Sequence, residues 1–243
     1  MLSKTQVKLI TSLKQKKYRL QHNLFVAEGI KTINELLQSH FKLHQLFTTT
    51  SFNIDAINET VISETELKKI SFLKTPNNAL ALFKIPETNS IDDSKLIVAL
   101  NDIRDPGNLG TIIRLCDWFG VVDLVCSNET VDSFNPKVIQ ATMGSITRVN
   151  VSYVNLNKFL SETKADKFGA FMDGDNVYSK SLPKKGILVF GNEANGISKE
   201  VSCLIDQRIS IPRFGNLQET ESLNVAAATA ILLSEFKRNT IET

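Results

Sequence analysis

From Leu96 onward the chain alternates short apolar runs with segments of helical spacing, and this alternation limits the fold more than any other feature. "KLIVALN" is an uninterrupted apolar strand of the kind buried on both faces. Next come "NLGTIIRLCDWFG" as a helix, "VDLVCS" as a strand, "NPKVIQATMG" as a helix, "RVNVSYV" as a strand and "LNKFLSETK" as a helix. "FGAFMDG" and "GILVFGNE" read as strands, "KEVSCLI" as a helix and "QRISIP" as a strand, and the last helix runs from about Leu223 to Lys237. Strand–helix alternation predicts an α/β fold, a mostly parallel sheet with helices on both faces. Ligands of such sheets bind at the carboxyl ends of the strands. The loops that follow strands are therefore the informative ones: "NDIRDPGNLG", "MDGDN", "GNEANGIS" and "RFGNLQETES".

The first ninety residues read differently. "SKTQVKLITSLKQKK" is predicted helical, with Val7, Ile10 and Leu13 at helical spacing. "LFVAEG" is a short strand, "IKTINELLQS" a helix, and "KLHQLFTTT" and "ALALFKI" are strands. "SETELKKI" opens with a capping-box pattern, Ser63 with Glu66 three residues on. "KIPETNSIDDSK" (84–95) is polar, carries a Pro and has no periodicity, so it is read as a linker. The expected domains are 1–90, a small α/β layer structure, and 91–243. A chain of 243 residues with 42% hydrophobic content can give each a core.

Charge separates the two segments. Residues 1–90 hold 12 Lys+Arg against 7 Asp+Glu, and residues 91–243 hold 16 against 19. Lys4, Lys8, Lys14, Lys16, Lys17 and Arg19 fall within the first twenty residues, without an acid. Such a cluster suits a polyanion such as RNA, and equally describes a solvated helix face. No apolar run is long enough to span a bilayer and "MLSKTQVKLI" lacks a signal-peptide core, so a cytoplasmic protein without a membrane partner is expected. Cys116, Cys126 and Cys203 form no CxxC pair, and neither a zinc site nor a disulfide framework is indicated. The only histidines, His22, His40 and His44, lie in the first segment. The second segment therefore has no Ser–His–Asp or Cys–His machinery and no His-based metal site. Its chemistry must rest on positioning, Arg, Asn, Ser and carboxylates. Methyl transfer from a sulfonium suits these means, since the donor is already activated.

Two loops carry the candidates. "NDIRDPGNLGTIIRLC" leads through Pro106, Gly107, Asn108 and Gly110 into a helix whose N-terminus can hold an anion. It is neither G-x-x-x-x-G-K-[ST] nor G-x-G-x-x-G. If the helix begins near Asn108 or Leu109, Arg114 sits within its first two turns. The bland reading pairs Arg114 with Asp117 at i+3. "ILVFGNEANGIS" runs a buried strand into Gly191, with Gly196 closing the turn and Glu193 as a lone carboxylate. The bland reading of Glu193 is a solvated acid.

Taken together these loops resemble the SpoU/TrmH family of RNA 2′-O-ribose methyltransferases in the SPOUT superfamily. The first motif reads "DPGNLGTIIR" (Asn108, Gly110, Arg114), the second "GNEANG" (Gly191, Glu193, Gly196). The third is Ile211-Pro212, a polar loop, then Ser222-Leu223-Asn224 entering "VAAATAILL". "NPKVIQATMGSITRV" resembles the stretch between the first two motifs, and "SLKQKKYRLQHNLFVAEGIKTINELL" the family's ribosomal-protein-like substrate-binding domain. The resemblance implies a C-terminal parallel sheet ending in a deep trefoil knot, a departure from the usual rule. It implies S-adenosylmethionine as cofactor, contacted at Gly191, Ile211 and Leu223. It implies Arg114 as the catalytic residue, with Asn108, Glu193, Ser222 and Asn224 arranging the site. It further implies a homodimer that acts on a ribose 2′-hydroxyl of ribosomal or transfer RNA. A guanidinium with a pKa above about 12 is a poor base at neutral pH. Arg114 is read as an electrostatic group that eases formation of the 2′-oxyanion, with proton acceptance in the assembled complex left open. Two alternatives stand beside this: an RNA-binding protein that kept the fold without catalysis, and a Rossmann-type small-molecule methyltransferase. The third motif is longer than usual by about three residues and opens with Arg213-Phe214, so 213–222 is where this chain departs from the family pattern. That loop is read as the cover of the cofactor pocket, with Glu219 and Glu221 bringing negative charge near it.

Overall fold

The computed structural model describes residues 2–54, 57–215 and 222–238. In chain order the elements begin α1 (Lys4–Ser12), α2 (Lys16–His22), β1 (Leu24–Glu28), α3 (Ile30–Leu37), β2 (Leu43–Thr48), β3 (Glu59–Val61), α4 (Glu64–Ile70) and β4 (Ala79–Lys84). They continue β5 (Leu96–Asn101), α5 (Pro106–Trp118), β6 (Asp123–Ser127), α6 (Pro136–Thr142), β7 (Asn150–Val154), α7 (Leu156–Glu162), β8 (Lys167–Asn176), β9 (Gly186–Gly191), α8 (Lys199–Ser202), β10 (Gln207–Ser210) and α9 (Val225–Arg238). These form two compact units, Met1–Glu87 with Asp132–Thr147, and Thr88–Val131 with Arg148–Thr243. The sequence places 132–147 in the alternation of the second segment, yet it packs with the first unit.

The first unit holds a four-stranded sheet in the order β1-β4-β2-β3, antiparallel except for the β2–β3 pair. One face is closed by α1 and α4: Ile10, Leu13, Leu67 and Ile70 pack with Leu24, Val26, Leu80 and Leu82. The opposite-facing Phe25 stacks with Phe83 and meets Phe134 of the 132–147 segment at a centroid distance of 4.9 Å. The capping box at Ser63 and Glu66 is present, and a second one, Ser3 with Gln6, starts α1. The single N-terminal helix expected from "SKTQVKLITSLKQKK" is instead two helices. Its break is held by Arg19, whose Nη1 donates to the carbonyls of Leu13 (2.8 Å) and Lys14 (3.0 Å) at the end of α1. Its Nε donates to Asp132 at 2.8 Å and its Nη2 to the same carboxylate oxygen. Arg19 is 2% exposed. It therefore leaves the polyanion cluster, whose Lys4, Lys8, Lys14, Lys16 and Lys17 are all exposed.

The second unit holds six parallel strands in the order β10-β8-β9-β5-β6-β7. The central strands β5 and β6 are buried at every residue, as strands covered on both faces must be. Ile97, Ala99, Val125, Ile187 and Val189 face one way, against Leu156 and Leu160 of α7 and Val201 of α8. Their sequence neighbours point to the other face, where α9 packs on β9 and α5 packs on β6 and α9. One expected loop is not a loop. "MDGDN" continues β8 to Asn176, and past a register shift Asp175 and Asn176 pair with Ile209 and Ser210 of β10. Gly174 makes this possible: a Cβ there would lie 2.5 Å from the Ile209 backbone. Among the described residues no helix is long and apolar enough to cross a membrane.

Candidate functional site

Two of the loops meet at the carboxyl ends of β5 and β9, where Asn101 is paired with Gly191. Past Asn101 the chain turns at Asp102, a non-glycine residue held at φ 62°. The Asp102 N–H donates to Ser127 Oγ (3.1 Å), and its carbonyl accepts from Asn192 Nδ2 (2.7 Å). Asp105 then caps α5. Its Oδ1 accepts from the Asn108 N–H at 2.8 Å, and Pro106 at the first helical position has no N–H to satisfy. The helix thus begins earlier than Asn108. Gly107 and Gly110 lie inside it, and the chain's own carboxylate occupies the position proposed for an anion. Arg114, the ninth residue of α5, falls in the third turn at about 3.6 residues per turn, not within the first two.

The loop after β9 is closed by a mutual backbone bridge, Asn192 N–H to Gly196 C=O at 3.0 Å and the reverse at 2.8 Å. Asn192 Oδ1 accepts from the N–H groups of Ala194 (2.9 Å) and Asn195 (3.2 Å). Gly196 has φ 67°, open to glycine without strain. A Cβ on Gly191 would fall 2.1 Å from the backbone of Gly196 and Ile197, so no side chain fits there. The two glycines of the motif therefore shape the loop that presents Glu193.

Asn108, Glu193 and Asn224 are brought together in one hydrogen-bonded chain. Asn108 Nδ2 donates to Glu193 Oε1 at 2.6 Å, and Asn224 Nδ2 donates to Asn108 Oδ1 at 2.9 Å. Asn224 Oδ1 in turn accepts from the N–H groups of Ala226 (2.9 Å) and Ala227 (3.3 Å), capping α9. A carboxylate only accepts, so it fixes the orientation of Asn108, which fixes that of Asn224. Residues 85 and 116 positions apart in sequence are tied by two amides. Gly110 lies on the buried face of α5, the helix that packs on α9.

Arg114 is not bonded to this chain of side chains. It is exposed, and among the described residues it has no hydrogen-bond or ion-pair partner. The Asp117 pairing suggested by i+3 spacing is not formed, because Asp117 is engaged by Arg148 (Nη2–Oδ2 2.9 Å, Nε–Oδ1 3.0 Å). Ser222 is exposed, Leu223 is 48% exposed and Ile211 half-buried. The loop expected to cover the pocket lies, for residues 216–221 with Leu217, Glu219 and Glu221, outside the described residues. Asn192 and Asp105 escaped the sequence reading. The second had a signal, an Asp directly before a Pro at a helix start. Asn192 had none, since its role depends on a carbonyl 90 residues away. Burial pushes the thiols of Cys116 and Cys126 well above the ordinary range, so neither is a nucleophile. Among the described residues no group of three or more His, Cys, Asp or Glu is placed to hold a metal.

The arrangement is a positioning device: a carboxylate held by an amide chain and an unengaged guanidinium on the same helix as Asn108. The SpoU rRNA Methylase family profile matches residues 95–234, and an MRM3-like substrate binding domain matches 4–81. The 23S rRNA (guanosine(2553)-2′-O)-methyltransferase RlmP of Bacillus subtilis is 29% identical over 241 residues, 96% of this chain and 96% of the relative. A TrmH-family structure from Porphyromonas gingivalis superposes with a TM-score of 0.89 at 36% identity, over 98% of this chain and 99% of that one. The AdoMet-bound rRNA methyltransferase from Sinorhizobium meliloti gives 0.88 at 28% identity, over 100% and 98%.

Proposed function

We propose that this chain, which belongs to the SpoU rRNA methylase family, transfers a methyl group from S-adenosylmethionine to a ribose 2′-hydroxyl of ribosomal RNA. One observation carries the assignment to residues: the Asn224–Asn108–Glu193 chain ties all three motifs into one polar site, and the unengaged Arg114 lies six residues beyond Asn108 on the same helix. The residues present suit the cofactor. Leu223, a large apolar side chain left 48% exposed between two polar neighbours, offers a surface for a purine ring, with Gly191 at the end of β9 and Ile211 just past the end of β10, on either side of β8. When bound, S-adenosylmethionine supplies a methyl group already activated on a sulfonium. The protein's task is then alignment and removal of the 2′-hydroxyl proton. Arg114 keeps its charge at all relevant pH values and stabilises the negative charge that develops on the 2′-oxygen. Glu193 is held in place by Asn108, and Ser222 and Asn224 set the start of α9 against it.

The finer features follow the same reading. The exposed lysines of α1 and α2 and of the turn joining them bind the RNA backbone, in the unit that matches a substrate binding domain. A second copy of the chain covers Trp118, which is 84% exposed one turn beyond Arg114 on α5. A trefoil knot is supported by the path: the chain leaves β10 at the sheet edge and re-enters as α9, bound to Asn108. We place the enzyme in the cytoplasm, where ribosomal RNA is made in bacteria such as the sources of its relatives. The test is Arg114→Ala. Methyl transfer to RNA from cells lacking the protein should be lost while calorimetric affinity for S-adenosylmethionine stays near normal. Near-normal turnover would remove Arg114 from the mechanism.

A further inference from the structure

The first unit holds a cleft that neither the chemistry above nor the basic cluster of α1 and α2 uses. It measures about 300 Å³, at the small end of ligand pockets, and every residue that lines it belongs to that unit. The lining comes from the end of β1, the first turn of α3, residues 76–78 ahead of β4, and Gln140 and Met143. What these groups offer is donors. The helix α3 starts at Gly29 with no side-chain cap and no acid in its first turn. The N–H groups of Ile30, Lys31 and Thr32 have no acceptor among the described residues. Neither the Lys31 ammonium nor the side-chain amides of Asn77 and Gln140 have a partner among them either.

Thr32 shows that these donors face a ligand site. The residue is 6% exposed, and its hydroxyl makes no hydrogen bond among the described residues. That hydroxyl is not sealed off, as the unpartnered Ser152 Oγ is, so it is reached from the cleft that Thr32 lines. A polar group kept this deep without a protein partner calls for one on the occupant. Acceptors are scarce by comparison. The one carboxylate of the lining, Glu28, is 5% exposed and has both oxygens taken, Oε1 by the Phe72 N–H (2.7 Å) and Oε2 by the Ser71 hydroxyl (2.5 Å). Helix N–H groups, an ammonium, two amides and a hydroxyl, with no carboxylate left open, fit an anion with several oxygens, a phosphate group.

A second cleft of about 260 Å³ adjoins the first, sharing Glu28 and Gln140 with it. Its lining is mainly apolar, from Val26, Phe72, Leu73, Pro136 and Ala141. Apolar walls beside a phosphate site suit the face of a flat ring, and in a nucleotide the phosphate and the base are joined side by side in this way. A base stacked in a duplex cannot turn its face to such walls, whereas an unpaired one can. We infer that this double cleft captures one unpaired nucleotide of the substrate RNA, its phosphate on the start of α3 with Lys31 and Thr32 and its base in the apolar part. None of the lysines of α1 and α2 lines either cleft, so this is a separate RNA contact. The inference rests on the reading above of a protein that acts on RNA, and adds the form of RNA it selects.

The experiment titrates isotope-labelled full-length protein with a short single-stranded RNA of mixed sequence, with the same sequence as a duplex, and with adenosine monophosphate. The amide signals of Ile30, Lys31 and Thr32 should move with the single strand and stay in place with the duplex. Adenosine monophosphate should move them only at concentrations about 100-fold higher, since it lacks the further contacts to the basic cluster. Thr32→Val removes the hydroxyl and little else. It should weaken single-strand binding about 10-fold, the value of one hydrogen bond to a charged group, with the melting temperature unchanged. Lys31→Ala, at an exposed position, should lower the slope of log affinity against log salt by about 0.7, one phosphate of a single strand, and leave duplex binding as it was. Adenosine monophosphate bound as tightly as RNA overturns the inference and makes the cleft a free-nucleotide site. An equal response to the duplex, or unchanged single-strand affinity in both variants, overturns it as well. Methyl transfer is measured on the same preparations. A protein that methylates RNA while these amides stay still loses the site and keeps the enzyme assignment. One that binds the single strand here without methylating RNA keeps the site and loses the assignment.

Discussion

The junction of α1 and α2 and the outer face of α5 each carry one arginine, in opposite surroundings. Arg19 is buried, and its guanidinium is spent on two carbonyls and a carboxylate. Arg114 is exposed and, among the described residues, unengaged. Local sequence would rank them the other way, since Arg19 sits in a run of lysines and Arg114 three residues before an aspartate. The decisive facts are distant: Asp132 is 113 residues from Arg19, and Arg148 takes Asp117 from 31 residues away. A guanidinium with its donors satisfied holds the fold, and one without protein partners is available to a ligand.

The largest effect should come from breaking the structural member of the pair. Arg19→Ala strands Asp132 and should cost about 3–5 kcal/mol of stability, measured by urea unfolding. Asp132→Ala should cost a similar amount, and the double variant much less than the sum. A stable Arg19→Ala protein with weakened RNA binding would return Arg19 to the ligand-facing group. Next comes the amide chain that starts on the helix carrying Arg114. Asn108→Ala should lower methyl transfer on the order of 10²-fold through misplacement of Glu193, with a stability loss of only about 1 kcal/mol. Lys8→Ala combined with Lys14→Ala, two exposed positions of the basic cluster that Arg19 has left, should keep stability unchanged. The pair should reduce the slope of log affinity against log salt by about 1 for each phosphate no longer neutralised, read from RNA titrations. The smallest effect belongs to Glu28. Burial raises its pKa above the ordinary 4.5, against hydrogen bonds from Ser71 and the Phe72 N–H that lower it. The folded state then holds this proton more tightly than the unfolded chain. Glu28's contribution is full below pH 4.5 and is lost as pH rises through the raised value. Glu28→Gln should flatten that part of the stability–pH curve, seen as a converging difference between the two proteins on acidification.

Much of the second unit was legible because its signals are local. Strands buried on both faces announce themselves as apolar runs, and Asp105-Pro106 and Gly191…Gly196 mark turns by backbone chemistry alone. What escaped depends on distant partners. "MDGDN" has the composition of a turn, yet β10 supplies the edge that keeps it extended, with Gly174 allowing the close approach. "NPKVIQATMG" reads correctly as a helix, but its packing with the first unit rests on Phe25, Phe134 and Asp132, and no periodicity within it distinguishes one sheet from another. The break between α1 and α2 carries neither Gly nor Pro; only the buried Arg19 explains it. At the site, Asn108, Glu193 and Asn224 are all legible from their motifs, while Asn192, which joins their loop to Asp102, is not.

The bond between Asn224 and Asn108 also has a meaning for how the molecule comes into being. It joins the beginning of α5 to the beginning of α9, so the 116-residue separation closed at the candidate site is among the largest of the hydrogen bonds among the described residues. Every other piece of the sheet can be in place while Glu193 still lacks its support. Synthesis must pass Arg238 before all of α9 can dock, and only then does the amide chain close. The amide chain is therefore the last part of the candidate site to form, and amide hydrogen exchange at Ala226 and Ala227 would report its closure.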